Sequence, residues 1–307
     1  MRSELVQASE LLQKDTPEAI EEAIGLLQNT VFSFSMKMCG HRQDAEDTMQ
    51  EVLFRSLKHL SKLDGPNALA AWLYTVTRNR CHRMRRGPFE GNGKKLSLDE
   101  LIPDDAELKC LLLRAEAGPE DAAIHGEEHQ LLHQAVLRIP TPLRMVLVLH
   151  DMEELTSEQI AEILGLQMGT VRVRLHRARL AVRKEMANLL SGIPEAESAA
   201  RHARAERPAE CRELFANLSE YLDERIETRT CEQMRVHIEK CPACVAFLKD
   251  LRAAVDRCRS FEVACDPEVA RRMRTLMRQE YQRLMDQSPD RHLASPARKR
   301  RSGLTNS

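Results

Sequence analysis

Along the first part of the chain the apolar positions step by three and four. Between Pro17 and Cys39 they fall at Ile20, Ile24, Leu27, Val31, Phe34 and Met38, a single stripe on a helix. Ala45, Met49, Val52, Leu53, Ser56, Leu57 and Leu60 make a second stripe, with acids on its first turn where the helix dipole favours them. A third helix begins near Asn67 and carries Leu69, Trp72, Leu73 and Val76 before turning basic. From Gly87 to Glu127 the periodicity dissolves into a Gly- and Pro-interrupted, acidic stretch, longer than compact domains ordinarily hold without function.

Helical periodicity resumes at Leu131, stops at Ile139-Pro140, and starts again through Met145 to Leu149. Thr156 followed by Gln159 has the spacing of a capping box, and Gly165 stands where a helix end favours positive φ. A second helix led by Thr170 then turns Val171, Leu175, Ala178 and Val182 inward and leaves Thr170, Arg172, Val173, Arg174 and Arg177 outward. Two short helices with a tight Gly-containing turn, the second basic, predict a helix-turn-helix whose second helix can enter a major groove. A polar spacer follows Ser191, then a helical unit from Cys211 to Phe261, then Pro267 and an Arg-rich helix with Val269, Met273, Leu276 and Leu284 on one side.

Aromatic residues make up 4% of the 307, and no alternation of apolar and polar positions reads as a strand, so the expected fold is all-α. That length fits two or three domains. The expected division is 1–88, a linker 89–127, 128–190, a spacer 191–208, 209–262, and a basic helix and tail 263–307. Nowhere do about 18 consecutive apolar residues occur, and the opening MRSELVQASE lacks the apolar segment of a signal peptide. A cytoplasmic protein with no membrane contact is expected.

A formal net charge of −1 excludes a polycation that coats nucleic acid. The charges are segregated instead. Arg78 to Arg86 holds five arginines and no acid, Thr170 to Lys184 six basic residues and no acid, and Asp44 to Glu51 four acids. Such a pattern suits separate faces for nucleic acid and for a basic protein partner.

The stretch LRIPTPLRMVLVLHDMEELTSEQIAEILGLQMGTVRVRLHRAR resembles region 4 of the extracytoplasmic-function sigma factors of bacterial RNA polymerase. RQDAEDTMQEVLFRSL and AAWLYTVTRNRCHRMRR are similar to region 2 of the same family. The resemblance implies that Asp47, Gln50, Glu51 and Phe54 dock on a basic coiled coil of the polymerase clamp. It implies further that the loop Leu63 to Ala68, with Asn67, captures a flipped base of the promoter's minus-10 element. Arg78, Asn79, Arg80 and Arg83 would then lie along the opened strand. Cationic side chains supply phosphate contacts and Asn79 a base-edge hydrogen bond. The sequence departs from the family at the capture loop, where aromatics are common and this chain has Leu63, Leu69 and Ala70. Trp72, at helical spacing with Leu69 and Val76, is expected in the core rather than as a stacking platform. Val173 stands where a serine is common, so the minus-35 preference does not carry over from relatives.

HIEKCPAC at 237–244 sets His237, Cys241 and Cys244 at metal-ligand spacing, with Pro242 placing Cys241 at a corner and Cys244 in the first turn of a new helix. A helix N-terminus favours thiolate, the form that binds zinc. The expected fourth ligand is Cys211, which can fold back from an earlier helix, with Cys231 in reserve. The segment from Cys211 to Leu248 resembles the zinc-binding anti-sigma domain, whose ligand order Cys, His, Cys, Cys implies Cys211 independently. In the family that domain is normally a separate inhibitor; here it is fused, so an intramolecular contact with the sigma domains is expected, its surface the helix with Phe247, Leu248, Leu251, Val255 and Cys258. Whether the zinc regulates or only holds a small domain together stays open. Two other classes compete: a DNA-binding regulator that never joins polymerase, and a nuclease using Asp44, Glu46 and Asp47. The acidic and basic helices of the first domain speak against the former. The lack of a catalytic histidine or lysine constellation near those acids speaks against the latter.

Overall fold

The computed structural model describes residues 2–14, 16–57, 59, 63–84, 101–103, 107, 125–191, 218, 222–223, 235–236 and 240–286. Among them every regular element is helical. The helices are α1 (Ser3–Leu12), α2 (Pro17–Cys39), α3 (Arg42–Ser56), α4 (Gly65–Met84), α5 (His125–Arg138), α6 (Thr141–Leu147), α7 (Ser157–Leu164), α8 (Met168–Ser191), α9 (Pro242–Arg259) and α10 (Pro267–Asp286). A π-helical turn, Val148–Met152, continues α6.

At the centre lies α2. Pro17 opens it, the Thr16 hydroxyl accepts from the Ala19 N–H at 3.3 Å, and Gly40 closes it at φ 77°. Its expected stripe is buried throughout, packed against α1, α3 and α4. So are Thr30, Phe32, Ser33, Ser35 and Lys37 on its other sides, because α5, α6, the π turn and α10 cover them. Helix α1 carries no counterpart among the sequence expectations, although Leu5, Ala8 and Leu12 bury at the appropriate spacing.

The second helical domain packs directly on the first. The buried Arg144 of α6 donates to the Met38 carbonyl at 2.8 Å and to the Leu137 and Ile139 carbonyls, and His133 Nε2 bonds the Met36 carbonyl at 3.0 Å. Arg144 thus satisfies carbonyls at the ends of both α2 and α5, and His133 adds a second bond to the Met36 carbonyl, which also accepts from the Gly40 N–H. A Cβ built on Gly40 would overlap Leu137 Cδ1, so the αL glycine both ends the helix and admits the neighbouring domain. Leu101 and Ile102, within the expected linker, are buried in the same core.

The helix-turn-helix forms as the sequence predicts. Thr156 and Gln159 make both bonds of the capping box, at 3.3 and 2.9 Å, and Gly165 is left-handed at φ 64°. Helix α8 begins at Met168, two residues before the expected Thr170, and Val171, Leu175, Ala178 and Val182 face inward. Phe247, Leu251, Val255 and Cys258 of α9 are buried, the helix lying on α8 and the π turn. Asp266 caps α10 by accepting from Glu268 N–H at 2.8 Å. Ala270, Met273 and Met277 of α10 are buried, whereas Leu276, expected on that face, is 37% exposed. The buried stripe runs through Ala270, Met273 and Met277, which leaves Leu276 at its margin, while Arg274 passes over Gly25 and Arg278 pairs with Glu21 at the rim of the contact with α2. None of the described helices is long and apolar enough to cross a membrane.

Candidate promoter and polymerase interfaces

Two surfaces carry most of the candidate DNA-reading residues, and they stand in opposite states. On α8, Arg172 and Val173 are exposed and Thr170, Arg174 and Arg177 half-buried, leaving the N-terminal half of this basic helix open. On α4 the residues are engaged. Asn67 lies in the first turn of the helix, which starts at Gly65 and not after a loop ending at Ala68, since Pro66 supplies a helical φ at the start. Its Oδ1 accepts from Gln159 Nε2 of α7 at 2.8 Å. Arg78 Nη1 donates to the Ile163 carbonyl at 2.6 Å, and its Nε and Nη2 hold Asn79 Oδ1 at 3.2 and 3.0 Å. Helix α7, the first of the helix-turn-helix, thus sits on the face of α4 that would meet the minus-10 strand. Arg83 is exposed and donates to the Asn79 carbonyl.

Asp47 and Gln50 on α3 are exposed, and Glu51 and Phe54 half-buried. Glu51 pairs with Arg55 at 2.6 Å and with Arg80 of α4 at 2.7 Å, tying a candidate polymerase contact to a candidate DNA contact. Trp72 is half-buried, its ring 5.6 Å from that of His59, and so lies at the core's edge rather than within it. Tyr74 is wholly enclosed and cannot stack on a base.

Beneath this contact lies a buried polar knot. Glu153, just after the π turn, accepts from Lys37 Nζ of α2 and from the Tyr74 hydroxyl of α4, each at 2.8 Å, and Arg2 approaches it at 3.2 Å. Lys37 and Glu153 are both fully buried. Burial lowers the Lys37 pKa, with Glu153 pulling the other way, and burial together with Glu153 pushes the Tyr74 phenol well up. A second knot joins α8 to the C-terminal unit. Arg179 bonds Asp151 of the π turn at 2.6 and 2.8 Å and Asp223 at 2.8 and 3.0 Å. Burial alone would raise the Asp151 carboxyl; the Arg179 guanidinium outweighs it and holds the group well below the usual carboxylate range. One turn on, Arg183 pairs with Asp250 at 2.7 Å and Glu107 at 2.9 Å, its guanidinium 4.9 Å from the centre of the Phe247 ring.

Cys241 is the extended N-cap residue of α9, Pro242 occupies its first turn, and Cys244 is buried one turn in. The two thiols therefore both lie at the N-terminus of one helix, where thiolate is favoured. Cys211, Cys231 and His237 lie outside the described residues.

Three families match in chain order. Residues 24–87 match Sigma-70 region 2, 129–182 match Sigma-70 region 4, and 211–244 match a zinc-finger family. Among curated relatives, the ECF RNA polymerase sigma factor SigW of Bacillus subtilis is 26% identical over 179 residues, covering 58% of this chain and 94% of that protein. The RNA polymerase sigma-H factor of Pseudomonas aeruginosa is 28% identical over 187 residues, covering 60% of this chain and 94% of its own. This chain is an extracytoplasmic-function sigma factor. Its zinc-finger match lies beyond the matched sigma regions, so the sigma factor carries an anti-sigma-like domain at its C-terminal side. Sequence reasoning missed the two knots of this sigma factor. The signal for Lys37 was a lone charge inside the apolar run VFSFSMKMC, and for Asp151 and Glu153 an acidic trio closing the apolar run MVLVLH.

Proposed function

We propose that this sigma factor, which directs transcription initiation, is gated in cis. It joins the polymerase core through Asp47, Gln50, Glu51 and Phe54 and reads the minus-35 element with the open end of α8. It holds its minus-10 readers, Asn67 and Arg78, against α7 until the two regions part. The observation that supports this best is the contrast between the open face of α8 and the engaged face of α4. The acids of α3 suit a basic coiled coil of the clamp. Sigma factors are initiation factors, not catalysts, and the chemistry stays in the polymerase; the place of action is the cytoplasm.

The C-terminal unit acts as the second restraint. Asp223 and Asp250 hold Arg179 and Arg183 of α8, and the apolar face of α9 closes over them. Because the unit is tethered, its effective concentration at α8 is about millimolar, so a modest contact suffices. Cys211, His237, Cys241 and Cys244 would hold a zinc ion, which supplies a cross-link between the start of α9 and the preceding segment. Boundaries at 1–88, 128–190 and 209–262 follow from this reading.

The test is promoter-specific transcription with core polymerase, comparing the full chain, residues 1–195, and the chain carrying Asp223→Asn with Asp250→Asn. The shortened and the doubly substituted proteins are expected to give more transcript than the full chain. Equal yields would remove the C-terminal restraint and leave the contact between α4 and α7 as the whole of the gate. Failure of all three to bind core would leave a DNA-binding regulator that does not join polymerase. Metal analysis is expected to find zinc in the full chain, lost on Cys211→Ser or Cys244→Ser and kept on Cys231→Ser; the reverse pattern makes Cys231 the ligand.

A further inference from the structure

The recognition helix presents an aliphatic residue among cations. Val173 is 54% exposed, more than any other large apolar side chain among the described residues. It stands between Arg172 and Arg174 and one turn before Arg177. In a helix a side chain leans over the turn N-terminal to its own Cα. Four residues back is Gly169, without a side chain, and a Cβ built there would meet nothing within 4 Å. The two methyl groups of Val173 therefore stand over open space at the N-terminal end of α8, the part of a recognition helix that approaches base edges. Packing does not account for a valine here. Helical propensity does not either, since a β-branched residue is a weaker helix former than alanine or arginine.

A surface flanked by arginines and free of acids from Thr170 to Lys184 points to DNA rather than to an apolar protein partner. In the major groove the C5-methyl of thymine is the one apolar group that a base pair displays, and small aliphatic side chains contact it. We infer that Val173 is a specificity-determining residue that recognises a thymine methyl group in the minus-35 element, while the neighbouring arginines hold phosphates or guanine edges. The inference rests on the reading of α8 as the minus-35 helix.

The consequence is a promoter preference that depends on a single methyl group. The full chain, bound to core polymerase, is used to enrich duplexes from a random library. Each thymine of the enriched upstream element is then replaced by deoxyuridine, which pairs identically but lacks the methyl. Binding by the unaltered chain is expected to fall about fourfold at one such position, the factor for one methylene-sized group leaving an apolar contact. Val173→Ser is expected to bind the thymine and uracil duplexes equally. Indifference to uracil at every position overturns the inference, as does a uracil penalty that persists in Val173→Ser. Arg172→Ala on the same duplexes separates the two levels. A general loss, equal for thymine and uracil, supports α8 as the DNA-reading helix even where the methyl effect fails. Enrichment of no sequence, or an Arg172→Ala chain that binds as well as the original, overturns the reading of α8 and the methyl contact with it.

Discussion

Glu153 shows how much one buried carboxylate can decide. It faces Lys37 and Tyr74 from two helices of region 2 and Arg2 from the residue that precedes α1, while itself belonging to region 4. Removing one partner of a buried ion pair costs about 3–5 kcal/mol because the other charge stays enclosed. Glu153→Gln is therefore expected to lower unfolding stability in urea by that amount, and Lys37→Met added to it to recover most of the loss. If the double variant is as unstable as the single, the pair is not coupled. Asp151 adds a pH dependence. Its folded-state pKa lies below its unfolded one, so the stabilisation it lends is complete above about pH 4 and is lost as pH falls below that. The chain with Asp151→Asn should be less stable at neutral pH, and its stability should fall less steeply below about pH 4. Comparing the two proteins at each pH cancels every acid-sensitive contribution they share.

At the scale of the element, the local rules were readable in the sequence and the second contacts were not. The capping box at Thr156, the turn at Gly165, the stripe of α2 and the apolar face of α9 are all built from residues whose spacing announces them. The far side of α2 is different. Thr30, Ser33, Ser35 and Lys37 look like solvent-facing positions, and only the arrival of α5, α6 and the π turn buries them. Periodicity reports one helix against its own domain; a polar surface that another domain covers leaves the same pattern as one covered by water. Among the candidate site residues, the family resemblance suggested Asn67 and Arg78, but nothing local indicated that Gln159 and the Ile163 carbonyl would hold them. The same holds for Arg183, whose partners lie far along the chain. Phe247→Ala removes the ring beneath that guanidinium and opens a cavity, so α9 should leave α8 first, at a cost of about 3–5 kcal/mol. Hydrogen exchange should show faster exchange in α9 and α8 with α2 unchanged; a uniform change throughout would mean that α9 is not a separable unit.

Over the whole molecule, α2 is the hub on which region 2, region 4 and the C-terminal helix α10 all rest. Binding of core polymerase is expected to raise hydrogen exchange at the ends of α2 and α4 facing region 4 and to lower it along α3. Protection at both would mean that the regions stay together on the enzyme. The hub also has a narrow point. Regions 2 and 4 meet at Gly40, where the Leu137 side chain occupies the space that any other residue would need for its first carbon. The closed arrangement is thus open to a one-letter diagnosis in a gene: a chain with another residue at that position must hold it in the left-handed conformation and displace the end of Leu137 before it can rest folded upon itself. A substitution there is expected to loosen the seam between the halves and leave the C-terminal unit as the main restraint.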